Sequence, residues 1–495
     1  MRFPAVLLVL ALLVFTPEAR ADALDPPTVA EPVAPPVVTR HSGVFNGQRI
    51  RYAATVGETI LTNDAGQPAA TIFSIAYVRE GVRNPAMRPV LFVFNGGPGA
   101  SSSPLHLGAF GPKRSPTPQP GAAATGTRVL VDNPHSILSD TDLVFIDPVG
   151  AGFARLLPGG DGRSYWSIEG DAAAVLGFIR NWLRDNRRTA SPKFIAGESY
   201  GGTRLATLLD DAEDLGLSGA LFLSPLLDLS ASIEAQGNDL PYILRLPSMA
   251  AVAWYHRRGS LDGDSLPEVF ERAADFALGD YAAALLQGAR LAPRESERVS
   301  REVARIIGVD QRLVADSNLR VPLEDFLMTL LPGTGLRVSR LDGRVTGEAA
   351  ALVNNPPPYN DPSFALGGSI ADLITRYLVD ELGFRTERRY VPFAADVNAA
   401  WSFTAPDARQ LYFTVTPAIT EAMRENSRLR LFVGGGYFDL ATPILGPRHA
   451  LDHAGLPPGR VTTAYYEAGH SVFDHEPSLR QLSADVRRFI AGAGQ

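Results

Sequence analysis

Cysteine is absent from this 495-residue chain. That excludes disulfide cross-links, and it excludes lipid attachment through a cysteine at an export cleavage site. A chain this long can bury enough surface to do without cross-links. No long basic run occurs, and the formal net charge is −7. Both observations argue against nucleic acid as a partner. Beyond the first residues no apolar run is long enough for a transmembrane helix. The remainder is ordinary globular composition, 45% hydrophobic and 20% charged. It suffices for one large domain with an insertion, or for two domains. Nothing in the sequence specifies an oligomeric state.

The N-terminus reads MRFPAVLLVLALLVFTPEARADA. Arg2 supplies positive charge, Ala5 to Phe15 is apolar but short for a bilayer, and Ala19-Arg20-Ala21 has a small-x-small form. These features predict a signal peptide over residues 1–21 and a periplasmic or secreted protein with no membrane span after its removal; an uncleaved membrane anchor is the weaker reading. Ala21-Asp22-Ala23 is a second candidate cleavage site. Residues 22–41 are proline-rich and predict an extended linker. From Ser42 to Arg79, alternation broken by turns predicts antiparallel strands at a sheet edge. Val90 to Asp228 alternates strand and helix, which predicts a doubly wound, mostly parallel α/β sheet. Residues 229–398 carry helical patterns and are expected to form a cap inserted between two core parts, 42–228 and 399–495. Strand patterns return in LRLFVGGGYFD and VTTAYYEAGH, and an amphipathic helix closes the chain.

Within the core, FIAGESYGG places Ser199 between glycines after a buried-strand pattern and before a helical one. Short G-x-S-x-G matches arise by chance as turns. The order strand, G-x-S-x-G, helix is the one a nucleophile elbow needs. A serine nucleophile needs a base and a carboxylate that orients it, in the chain order Ser, acid, His. Asp439 follows the strand LRLFVGGG, and His470 follows TTAYYEAG. Alone, each reads as a loop residue. Together, in order and at strand ends, Ser199, Asp439 and His470 read as a catalytic triad. Tyr200, directly after the serine, and Gly97 in NGGPG are the candidate backbone donors of an oxyanion hole. NGGPGASSS has neither the G-K-[ST] of a phosphate loop nor G-x-G-x-x-G spacing. HALDH places His449 and His453 a helical turn apart with Asp452 between them, loosely like a zinc motif. Its acid is the shorter Asp, so it reads as a surface helix, and no metal or cofactor is assigned. His106 lies in the glycine-loop segment and is given no role.

NGGPGASS, DPVGAGFA, GESYGG, FDLATP and AGHSVFDHEP, in this order, resemble the serine carboxypeptidase family of the α/β-hydrolase clan. The resemblance runs from about Val90 to the C-terminus, and the helical insertion matches in position and type only. It implies an α/β-hydrolase fold with a helical cap, and the same triad and oxyanion donors. It also implies that Asn95 and Glu198 bind the carboxylate of a peptide's free C-terminus. The family's second acid, in an E-x-G-P segment, falls on Ala109 here, which leaves half of an acid pair missing. Lys113 and Arg114 follow this segment and read as a solvated loop. The family's loop cysteine is Ala100.

The function expected is a serine-type carboxypeptidase acting on peptide or small acyl substrates. An esterase, lipase or acyltransferase with the same triad is the alternative, supported by Ala109. A non-catalytic binding protein that keeps the fold is the third reading, and the complete triad argues against it.

Overall fold

The computed structural model describes residues 31–118, 128–260, 265–352, 355, 360–365, 370–403 and 413–492. The predicted signal peptide lies outside the described residues. Nine strands form one sheet: β1 (Val37–Phe45), β2 (Gln48–Thr62), β3 (Pro68–Arg79), β4 (Val90–Phe94), β5 (Asp142–Asp147), β6 (Lys193–Glu198), β7 (Gly219–Leu223), β8 (Arg430–Gly436) and β9 (Val461–Tyr466). Their spatial order is β1-β2-β3-β5-β4-β6-β7-β8-β9. The first three pair antiparallel with each other and with β5. From β5 to β9 every pairing is parallel. The C-terminal ends of β4, β6, β8 and β9 therefore open onto one edge, where ligands bind in sheets of this kind.

One expectation is corrected. The linker drawn to residue 41 ends earlier, because β1 starts at Val37, directly after Pro36, and pairs Val37 with Val56. Prolines up to Pro36 mask an alternation in which every second residue turns toward the sheet's covered face. An edge strand tolerates prolines at its entry because one side donates no ladder bonds.

The central strands are apolar at nearly every position because both faces are covered. Phe92, Phe94, Ile195, Phe222, Leu431 and Val433 pack on one face against the helices α1 (Ile168–Asp185) and α2 (Tyr200–Leu209). Leu91, Val93, Phe194, Leu221 and Phe432 point the other way, toward Leu482 and Val486 of the closing helix Glu476–Gly492. Each such side chain, fully buried, contributes about 1.5–3 kcal/mol. α1 begins where the Ser167 hydroxyl accepts the amide of Gly170, and Glu169 and Asp171 complement its first turn.

Between β7 and β8 the chain makes a mainly helical excursion. Its longest helices, α3 (Leu240–Tyr255), α4 (Leu266–Phe276) and α5 (Pro293–Ile307), share a core through Val252, Phe270 and Val303. That core continues into Phe438 and Leu440, beside the expected catalytic acid. A short hairpin pairs Leu336–Val338 with Thr346–Glu348. Among the described residues no helix is long and apolar enough to cross a membrane.

Candidate active site

Ser199 sits at the junction of β6 and α2, with φ 62° and ψ −127°. A non-glycine residue rarely adopts positive φ, and the strain is held by its neighbours. Its amide donates to the Leu223 carbonyl at 3.0 Å, and its carbonyl accepts the Leu226 amide at 3.0 Å. The flanking glycines are required by contact. A Cβ on Gly197 would lie 2.2 Å from the Gly201 carbonyl oxygen, and one on Gly202 would lie 2.5 Å from Pro225. A side chain at Gly197 would press α2 away from β6, and one at Gly202 would press it away from the segment after β7.

The glycine loop after β4 lies on this elbow. A Cβ on Gly96 would stand 2.4 Å from the Tyr200 amide nitrogen and 2.6 Å from that of Gly201. Gly97 has φ +102°, a region that favours glycine. Tyr200 opens α2, and amides in a helix's first turn have no intrahelical acceptor. Both expected oxyanion donors are thus at the meeting point of the glycine loop and the elbow.

Asp439 and His470 are brought together. His470 Nδ1 and Asp439 Oδ2 are 2.8 Å apart, and the Asp439 side chain is fully buried. Asp439 Oδ1 accepts the amides of Ala441 (2.8 Å) and Thr442 (3.0 Å). The Thr442 hydroxyl lies 2.7 Å from Asp439 Oδ2 and 3.0 Å from His470 Nδ1. Burial opposes charging of the imidazole, but the charge and hydrogen bond of Asp439 outweigh it, with Glu198 adding, so the His470 pKa is raised. Arg340 nearby acts downward. The loops of Ser199 and His470 are stitched together: the Ser471 hydroxyl donates to Glu198 Oε1 at 3.2 Å, and the Ser224 hydroxyl donates to the His470 carbonyl at 2.7 Å.

Asn95 and Glu198 also meet. Asn95 Nδ2 donates to Glu198 Oε2, and Asn95 Oδ1 accepts the Leu105 amide at 3.1 Å. Glu198 is 4% exposed. Burial pushes its pKa up to about 7, and Asp474 adds to the rise while His470 opposes it. A carboxyl poised between protonated and charged can donate a hydrogen bond to another carboxylate. Alongside His470 and Ser471 lies a cavity of about 720 Å³, walled by Leu107 and Phe473 of the core and by Leu341, Phe364 and Phe393.

Other sequence candidates fall elsewhere. Ala109 is wholly buried in the turn Leu105–Phe110, and its carbonyl accepts Asn133 Nδ2 at 2.8 Å. Lys113 pairs with Asp132 at 2.8 Å and Arg114 with Glu476, so neither is an open loop cation. His106 is buried beside Phe145 with Nε2 2.8 Å from the Tyr77 hydroxyl, and burial lowers its pKa to about 3. The rings of His449 and His453 lie 4.1 Å apart on and just after the helix Leu445–Asp452.

Sequence reasoning missed the segment Ser339–Arg344, which comes from the excursion and touches both triad loops. The His470 amide donates to the Leu341 carbonyl (2.6 Å), the Leu440 amide to the Arg340 carbonyl (3.0 Å), and the Gly343 amide to the Phe438 carbonyl (3.0 Å). Arg344 reaches the Glu467 carbonyl at 2.9 Å. Such long-range amide pairing leaves no periodic signal in sequence.

The sheet, the elbow and the Asp–His pair at the strand ends have the arrangement of the α/β-hydrolase fold. Residues 75–214 match the family model for serine carboxypeptidase. Serine carboxypeptidase-like 20 of Arabidopsis thaliana is 27% identical over 210 residues, covering 41% of this chain and 39% of the relative. Serine carboxypeptidase-like 34 of the same plant is 34% identical over 132 residues, 25% of this chain and 24% of the relative. The matched region thus spans well under half the length of these relatives. The crystal structure of Kex1(delta)p, a prohormone-processing carboxypeptidase from Saccharomyces cerevisiae, aligns with TM-score 0.57 and 14% identity. That alignment covers 88% of this chain and 91% of the yeast chain, and it shows the shared fold. Over residues 75–214 the chain is thus similar to serine carboxypeptidases.

Proposed function

We propose that the protein is a serine hydrolase that removes C-terminal residues from peptides through an acyl-enzyme. The observation that carries this reading is the Asp439–His470 hydrogen bond at 2.8 Å, at the same sheet edge as a strained Ser199. Ser199 is the nucleophile. His470 takes the hydroxyl proton and returns it to the departing amine. Asp439, held by two amides and Thr442, fixes the ring's tautomer and stabilises the imidazolium. The amides of Gly97 and Tyr200 stabilise the negative charge on the tetrahedral intermediate. Water then attacks the acyl-enzyme with His470 again as base.

Asn95 and protonated Glu198 bind the substrate's free carboxylate. Glu198 suits this role because burial keeps it protonated up to about pH 7. The neutral carboxyl donates a hydrogen bond, whereas its anion would repel the substrate. Residence in the periplasm or outside the cell rests on the N-terminal segment 1–21, and N-terminal sequencing of the exported protein tests it.

An esterase or acyltransferase reading keeps the triad and drops the carboxylate pocket. Ala109 favours it, because the family's second acid is replaced by a buried methyl group. One experiment separates the readings. A fluorophosphonate should label wild-type protein and not Ser199→Ala. Blocked dipeptides with free C-termini should be cleaved faster than their amides. Equal rates on both, with rapid ester cleavage, would establish the alternative, and absence of labelling would refute both.

A further inference from the structure

Helix α2, which opens after the proposed nucleophile, carries a buried cation. Arg204 is 0% exposed. Its Nε donates to Asp171 Oδ2 of α1 at 2.6 Å, and its Nη1 donates to the backbone carbonyl of Asn95 at 2.6 Å. The guanidinium carbon lies 5.1 Å from the Phe94 ring centroid and 5.6 Å from that of Tyr200. One buried group thus joins three things: the helix that opens at the elbow, the helix packed against it, and the first residue of the glycine loop. Asn95 is the residue that matters. Its carbonyl is held by Arg204 and its side chain holds Glu198.

Asp171 and Arg204 neutralise each other, so the pair places little net charge at the site. What it supplies is geometry. A planar guanidinium with one nitrogen committed to Asp171 has its second nitrogen aimed in a fixed direction. The close approach of the glycine loop to α2 is already tight at Gly96, where a methyl group has no room. A carbonyl pinned from below fixes where the Asn95 amide sits above. Such a bond in a water-poor interior is strong and directional.

Building on the carboxypeptidase reading, we propose that Arg204, oriented by Asp171, is a positioning residue that sets the carboxylate-binding pair Asn95–Glu198 through the Asn95 carbonyl. Arg204 does not touch substrate. Its removal therefore acts on recognition of the free C-terminus more than on the chemistry at Ser199.

The test replaces the whole pair. The double variant Asp171→Leu with Arg204→Met leaves no buried charge unpaired, and such replacements commonly keep a protein folded. Fluorophosphonate labelling of Ser199 should persist. KM for a blocked dipeptide with a free C-terminus should rise about tenfold to a hundredfold, the size expected for losing one charge-assisted hydrogen bond. kcat should change little, and the amidated peptide should be affected less. Arg204→Lys keeps a cation for Asp171 but lacks the fork, so its KM should fall between the two. A folded double variant with an unchanged free-to-amidated ratio would overturn the proposal. If the double variant does not fold, Arg204→Lys decides by the same ratio. If wild-type protein is not labelled, or does not prefer free C-termini, the carboxypeptidase reading is what fails. The positioning claim is then decided by a crystal structure of the double variant: a displaced Asn95 side chain supports it, and an unmoved glycine loop refutes it.

Discussion

Substituting Glu198 with Gln separates charge from shape at the proposed carboxylate pocket. Burial raises the Glu198 pKa from its ordinary 4.5 to about 7. At about 1.4 kcal/mol per tenfold, this rise corresponds to about 3 kcal/mol disfavouring the anion. Below pH 7 the carboxyl is protonated and donates to the substrate. Above it the protonated fraction falls, so KM for a free C-terminus should rise about fivefold between pH 7 and 8 and approach about tenfold per unit beyond that. Glu198→Gln keeps a neutral donor of the same shape, and the Ser471 hydroxyl can rotate to suit it. Its KM should be nearly flat across that range, and amidated peptides should show no such rise in either protein. Stability follows the same titration with a definite sign. The raised native pKa contributes stability that is complete below pH 4.5, where both states are protonated. It is lost as pH climbs to about 7, because the unfolded chain ionises first. Wild-type protein should thus lose up to about 3 kcal/mol over this window relative to Glu198→Gln, read by denaturant unfolding at fixed pH values. A wild-type KM that is flat from pH 6 to 9, or a pH-dependent rise that survives in Glu198→Gln, would refute the reasoning.

Three further outcomes are expected. Asp439→Asn should lower kcat by about 10³–10⁴ with little change in KM, because the ring loses the anion that fixes its tautomer; steady-state kinetics on the free peptide checks it. Gly96→Ala should slow fluorophosphonate labelling by at least about 10², since its Cβ would stand 2.4 Å from the Tyr200 amide nitrogen and block the oxyanion hole. Arg204→Met alone should destabilise by about 3–5 kcal/mol, measured by urea unfolding, because it strands the buried Asp171 carboxylate.

Where chemistry is local, the sequence displayed it. Ser199 stands out because strand, turn and helix are contiguous and the tight contacts at Gly197 and Gly202 demand glycine. Asp439 and His470 could be proposed as partners because each follows a strand pattern, in the chain order that such a pair needs. Arg204 was not readable: in TRLATLLDDAEDLG it looks like one more polar helix residue, and only the packing of α1 on α2 buries it beside Asp171. The start of β1 was hidden by proline composition, although Val37 to Phe45 alternates in burial. Thr442 stood within a recognised motif, yet its hydroxyl's place between Asp439 and His470 comes from the turn that follows β8.

The amides and carbonyls of Arg340 to Gly343 give the long excursion between β7 and β8 a part in assembly that its remoteness in the chain conceals. A shortened protein lacking that excursion would keep the sheet's hydrogen-bond ladder and every triad side chain. It would still surrender the backbone partners that seat the loops of Asp439 and His470. The proposed acyl transfer therefore depends on a stretch remote in the chain, so trimming the excursion to enlarge the substrate range should cost activity before it alters preference.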